Sequence, residues 1–496
     1  MKKRVLLCFV LGLSLLTTGC SDMMIYETQT IETIELPETV EENVSAPWGD
    51  SQSNFLDQAE LYYINEDAQM LAQSTATFML TPEEDKIETV LLKLLNETPD
   101  EASPMAPEGT KLLGFEVTRD VVTVNFSLEA RNVSDDKRLL WMYNAVAATL
   151  LSMENINSVN ILINGRQEAV EGIPVGVITQ TDRDLATLWA QHQADADRIE
   201  RLSTTSSFTR TAILYFPFGE GDWYIAEPQE LTFVGENYAT ALLAALSQKP
   251  KESNGRAPIN AVNALMTSPY ITLTDTGFRC LALEFTSEII EILQKSAITR
   301  DEFAGMLALT MTSFIPELDG IMLFIDGELV VEVSGDEEYR EFVDGVILRN
   351  NYRDQIGDVV TLYFASENGK LVAEKSVVSP LISRSPRTLL VQLMQGSSAN
   401  NSVMPAGVSG DDILGVRIDN GIAYINLSAN FYRLCQNMDY VAERNLVYSI
   451  VNTLTELSNV NRVRFFFEGR SAGELANSIY LNTMLLPNPG LIENAD

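Results

Sequence analysis

The chain has 496 residues, 46% hydrophobic and 21% charged. That is the balance of folded domains, and the length is too great for one core, so about two to four domains are expected. Lys and Arg number 34 against 69 Asp and Glu, a formal charge of −35, which argues against nucleic acid as a partner because phosphate binding needs clustered cations. A single histidine, His192, leaves no His-dependent triad and no multi-His metal site.

The first element is Met1-Lys2-Lys3-Arg4 followed by an apolar run ending at Leu16, about a dozen residues and too short for a membrane span. It closes on Thr17-Thr18-Gly19-Cys20 and resembles the bacterial lipoprotein signal, with cleavage between Gly19 and Cys20 and acylation of the Cys20 thiol. Thr17 stands where that signal commonly has Leu. Several acyl chains, palmitate among them, give the multiple anchors that stable attachment needs. Residues 21–58 hold nine acidic side chains and no Lys or Arg, which predicts an extended tether. With Cys8 removed and Cys20 acylated, Cys280 and Cys435 remain, and both read as small buried residues without a disulfide framework.

The rest repeats one unit three times. Each copy opens on an apolar-aromatic strand around Tyr62, Tyr215 or Tyr363. A helix follows: Thr81-Pro82-Glu83-Glu84 reads as a capping box before Ile87 to Leu95, Thr240 to Leu246 serves the second copy, and Ser385-Pro386 precedes Leu389 to Met394. Next, Lys111 to Ser127 aligns without a gap on Asp412 to Ser428, each alternating about Arg119-Asp120 or Asn420-Gly421 as a β-hairpin does. Ile271 to Thr286 is the weaker middle version. A second helix begins at Ser134-Asp135-Asp136, at the capping box Thr299-x-x-Glu302, or runs through Val441 to Leu454. Closing strands end at Gly165, Gly327 and Gly469, where a turn needs positive φ.

The order β-β-α-β-β-α-β predicts an α+β protein of three tandem two-layer domains, each with its helices on one sheet face. The plan is a signal peptide at 1–19, a tether at 20–58, and copies at 59–172, 209–333 (divergent) and 356–474. Connectors fall at 173–208 and 334–355, the first with an exposed helix from Arg183 to Leu202, and a tail at 475–496.

Candidate chemistry is sparse. Glu116, Glu284 and Arg417 read as equivalent hairpin positions, so the paired carboxylates of a cell-wall glycosidase are not kept in the third copy, and a solvated strand face is expected. Asn125, Glu284 and Asn426 also align beside a strand end, where hydrogen bonding to a turn is expected. His192 reads as exposed on its connector, with Asp195 and Asp197 too few to complete a metal site. The recurrent tyrosines read as core, and Trp48, Trp141, Trp189 and Trp223 do not repeat as a sugar platform. No cofactor and no metal is expected.

Pro107 to Gly114, Thr123 to Ser127, Tyr448 to Leu457 and Glu468-Gly469-Arg470 together resemble the GerMN domain of sporulation and spore-germination lipoproteins, the first and third copies most clearly. The resemblance implies a membrane-tethered protein on the extracytoplasmic face of a Gram-positive envelope. It is similar to ring-building modules of spore secretion complexes, which favours protein-protein assembly over catalysis and offers no catalytic residues. The resulting expectation is a non-enzymatic protein, held to the membrane by Cys20, that binds or scaffolds envelope or sporulation proteins. The alternatives are a protein that binds or hydrolyses peptidoglycan, and a spacer with no partner.

Overall fold

The computed structural model describes residues 45–493, apart from 53–54, 66–69, 81–84, 101, 154, 180–184, 203–206, 220–222, 252–254, 335–338, 379–384, 398–401, 458, 472 and 477–478. Gly19, Cys20 and the Thr81-to-Glu84 capping box lie outside the described residues. The first helix, Lys86–Asn96, is capped by Asp85, whose carboxylate accepts from the N–H groups of Ile87 and Glu88.

Each copy has the same parts. A long two-stranded ribbon comes first: Phe55–Asn65 with Met70–Leu80, Ser207–Phe218 with Trp223–Val234, and Asp358–Ala365 with Leu371–Val378. The first helix follows, as Lys86–Asn96, Tyr238–Leu246 or Pro386–Gln395. Then comes a hairpin whose outer arm we call the edge strand (Leu112–Thr118, Tyr270–Leu273, Ile413–Asp419). Its inner arm is the middle strand (Val121–Phe126, Arg279–Phe285, Ile422–Leu427). A long helix (Asp136–Leu151, Arg300–Phe314, Tyr440–Leu454) carries the chain back to a closing strand parallel to the middle one (Ser158–Ile163, Gly320–Ile325, Arg462–Phe467). Between middle strand and long helix the copies differ: Leu128–Arg131 is a single tight turn, whereas Glu288–Lys295 and Ala429–Cys435 are short helices.

The architecture is therefore α+β, with the long helix of each copy on one sheet face. Its opposite side is covered by the ribbon, which explains why the whole run Leu139 to Leu151 is buried and not only one stripe. Burying each such Leu or Val contributes about 1.5–3 kcal/mol. One polar contact joins helix to ribbon in every copy. The backbone N–H of Tyr62, Tyr215 and Tyr363 donates to the hydroxyl of Thr149, Thr310 and Thr453, at 2.9, 3.0 and 3.2 Å. All three threonines are buried. Gly165, Gly327 and Gly469 have φ of 76, 82 and 77°, and Asn164, Asp326 and Glu468 before them are also positive, so each closing strand ends in the same left-handed pair.

Segments between the copies are structural parts. The connector helix spans Leu185–Leu202, but His192 on it is only 2% exposed, not solvated. Its neighbour Asp195 forms a buried ion pair with Arg210 of the second ribbon at 2.8 Å. Burial first, and the Arg210 charge second, lower the His192 pKa to about 3. The tail beyond 474 belongs to the third copy: Leu475 and Leu481 are in its core, and Leu485 exchanges backbone hydrogen bonds with Val463. The tether ends early, because residues 47–52 lie on the third sheet and the first ribbon begins at Phe55.

Candidate functional site

The feature shared by the outer copies is a groove where the edge strand starts. In the first and third copies this strand opens on a bulge, with the register slipping between Leu112 and Gly114 and between Ile413 and Gly415. Opposite sits an asparagine of the middle strand. Asn125 accepts from the Gly165 N–H at 2.8 Å and Asn426 from the Gly469 N–H at 2.9 Å, so the asparagine pins the closing turn as the wall of the groove.

In the third copy the groove holds Pro47 to Gln52. Ser51 and Gln52 pair in parallel with Arg417 and Ile418, extending the sheet by one strand. The Gly49 N–H donates to Leu414 O at 2.8 Å, and Asn426 Nδ2 donates to Pro47 O at 2.9 Å. Asp50 accepts from the Val416 N–H at 3.1 Å and from Arg387 Nη2 at 2.8 Å. Gly415 is required by closeness: a Cβ there would stand 2.5 Å from Gly49 O and 2.8 Å from Pro47 O. The Trp48 indole lies over Gly469, where a Cβ would stand 2.9 Å from its ring, and is itself 65% exposed.

In the first copy the same groove receives residues 349–358. Arg353 lies against Gly114, whose φ of 145° few side chains adopt and whose Cβ would meet the guanidinium at 2.7 Å. Glu116 binds Arg349 Nη2 at 2.5 Å and Arg353 Nε at 3.4 Å. Arg349 also donates to Ser313 Oγ at 2.7 Å and to the Tyr215 hydroxyl at 3.0 Å, both on the second copy. Its burial opposes charge, but the Glu116 carboxylate and Tyr215 outweigh this and hold its pKa above the ordinary arginine value. Further along, the Thr118 hydroxyl donates to Gly357 O at 2.6 Å and the Arg119 N–H to Asp358 Oδ1 at 3.1 Å. Glu116 is thus a half-buried partner of two cations, not a member of a solvated face.

The middle copy corrects one equivalence. Tyr270 pairs with Ala282 as Glu116 pairs with Thr123 and Arg417 with Tyr424, so Tyr270, not Glu284, takes the Glu116 and Arg417 place. Glu284 takes the asparagine place alone, facing Phe324 as Asn125 faces Leu162 and Asn426 faces Phe466. Its carboxylate accepts from the Thr267 hydroxyl at 2.9 Å and the Tyr270 hydroxyl at 3.1 Å. Burial, and then the bond to Glu284, raise the Tyr270 pKa.

Reactive groups elsewhere are quenched. Burial pushes the Cys280 thiol up to about 11 and Cys435 up to about 12, with Asp319 and Glu443 adding to it. Trp141 is buried, and Trp189 and Trp223 are half-buried. Among the described residues no three His, Cys, Asp or Glu side chains converge as a metal set. The groove residues to which the sequence alone assigns no site role are Gly114, Gly415, Arg349, Arg353, Trp48 to Asp50 and Arg387. The gap-free alignment of the two glycines inside a strand was the available signal.

The fold and its grooves define a tandem array of small α+β modules, two of which seat another segment of the chain at a sheet edge, in the third as an added strand. Residues 60–169 and 361–473 match the model of the Germane family, described as sporulation and spore germination, and these two segments are domains of that family. The middle copy repeats their element order and strand pairing.

Among solved structures, the chain is similar to the tandem GerMN domains of the sporulation protein GerM from Bacillus subtilis, at 17% identity over 59% of this chain and 99% of that one, with a TM-score of 0.22. It is similar to a putative lipoprotein from Clostridium perfringens at 20% identity over 26% and 90%, with a TM-score of 0.19. The first GerMN domain of the same Bacillus protein matches at 21% identity over 22% and 84%, also with a TM-score of 0.19. No curated protein matches the chain.

Proposed function

We propose that this chain is a non-enzymatic lipoprotein, acylated at Cys20 and held on the extracytoplasmic face of the membrane, that scaffolds envelope proteins in sporulation or germination. One observation carries the reading: in both copies that match the sporulation and germination family a remote segment of chain is seated in the same edge groove, as an added strand in the third and as two tight helical turns in the first. A module whose edge groove repeatedly seats another stretch of chain is suited to gathering other chains, and repetition multiplies avidity. The carboxylate that a wall hydrolase would need, Glu116, is held by two guanidinium groups.

The test is crosslinking in the membrane of the native host, comparing the chain with its Cys20→Ala variant. Acylation of the unmodified chain alone, with sporulation or envelope proteins crosslinked only to it, is the expected result. A muropeptide product on digestion of purified wall would overturn the non-enzymatic reading, and an unacylated chain would overturn the anchor.

A further inference from the structure

The three edges are unequally covered. Residues 47–52 lie on the third and residues 349–358 along the first, whereas no described residue pairs with the outer side of Tyr270–Leu273. This edge strand is terminal in its sheet and carries Tyr270, Ile271 and Leu273 at 46, 41 and 70% exposure, with Met266 and Phe278 exposed beside it. The Thr274 N–H donates inward to Phe278 O, so by strand alternation the N–H groups of Ile271 and Leu273 point to the open side. An exposed apolar edge with free backbone donors is a template for another strand.

Charge says which strand. In the first copy, a carboxylate in the groove, Glu116, is answered by the guanidinium groups of the segment that lies there. In the middle copy, Tyr270 at the Glu116 place holds the Glu284 carboxylate by its hydroxyl, and Thr267 holds the other oxygen. Glu284 has no Lys or Arg partner among the described residues. The chain as a whole is at −35, which draws cationic segments toward it.

We propose that Tyr270–Leu273 is the docking edge for an extended segment of a partner protein that alternates apolar residues and places a Lys or Arg against Glu284. The inference rests on the scaffolding reading and names its surface. The two outer grooves are closed by the chain's own segments, and the middle one is the place where a foreign strand completes the array. Strand addition supplies the backbone hydrogen bonds, Ile271 and Leu273 supply apolar contact, and Glu284 selects the charge.

The experiment uses the full chain and two labelled peptides, Thr-Val-Arg-Val-Thr-Val-Thr and the same sequence with Glu for Arg, followed by fluorescence anisotropy. The Arg peptide should bind saturably, and the Glu peptide at least about tenfold more weakly. Glu284→Lys should reverse that order. Leu273→Pro, which removes an outward N–H, should abolish binding of both, and Leu273→Lys, an exposed change that keeps the fold, should weaken both. Equal binding of the two peptides, binding untouched by these variants, or no binding overturns the proposal. So does a wild-type dimer that Leu273→Lys converts to monomer, which would make a second copy the occupant. If membrane crosslinks to envelope proteins persist in the edge variants, this surface is wrong and the scaffold stands. If peptides bind as stated but no envelope protein crosslinks, the scaffold reading falls instead.

Discussion

In the first copy the edge groove is closed by cations acting on a carboxylate, and in the third by an aspartate held by a cation. At equivalent strand positions stand Glu116 and Arg417, on backbones that share the same bulge, the same asparagine and the same closing turn. The first groove is buried and joins two copies, with Arg349 only 5% exposed and bonded to both. The third is shallow, with Trp48 and Asp50 exposed. One scaffold therefore makes a permanent joint or a lighter latch, according to how much of the contact leaves water.

The largest effect should come from breaking the joint. Arg349→Met leaves the half-buried Glu116 without its closest counter-charge and should cost about 3 kcal/mol in urea unfolding, whereas Arg387→Met at the latch should cost no more than about 1 kcal/mol. Equal costs would erase the distinction between the two grooves.

Acid should act on the connector helix. His192 titrates near 3 when folded and near its ordinary 6.5 when unfolded, so the unfolded chain takes up the proton first. Stability at His192 is then full above pH 6.5 and declines as pH falls toward 3, by a few kcal/mol at about 1.4 kcal/mol per unit. His192→Leu should flatten that limb of the pH-stability curve. An unchanged limb would mean that the histidine is hydrated.

Gly415→Ala should expel residues 47–52, because its Cβ would collide with Gly49 and Pro47 backbone oxygens. Limited proteolysis should then cut near Trp48 while the cost to global unfolding stays at about 1–3 kcal/mol. Smallest is the charge swap. Asp50→Arg alone should free the latch, and adding Arg387→Asp should restore its protection from protease, at about 0.5 kcal/mol. A double variant as open as the single one would show that the Asp50–Arg387 pair is incidental.

Much of this architecture is written locally. The hairpins around Arg119-Asp120 and Asn420-Gly421, the Thr299–Glu302 capping box and the glycines ending each closing strand are patterns within a few residues, set by backbone geometry. The grooves were illegible because their occupants are remote: Asp50 meets Arg387 across 337 positions and Arg349 meets Glu116 across 233. His192 was misread for a related reason. Its connector is polar in sequence, yet the helix is wedged against neighbouring copies, and tertiary burial overrides local composition. Thr149, Thr310 and Thr453 look like ordinary helix residues until the ribbon N–H groups that need them are in view.

Amide hydrogen exchange on the intact chain tests the central contrast without mutation. Slow exchange is predicted at Gly49, Val416 and Arg119, whose N–H groups bridge edge and occupant, with fast exchange at Ile271 and Leu273 on the uncovered middle edge. Protection at Ile271 and Leu273 equal to that of the outer edges would contradict the account, as would rapid exchange at Val416.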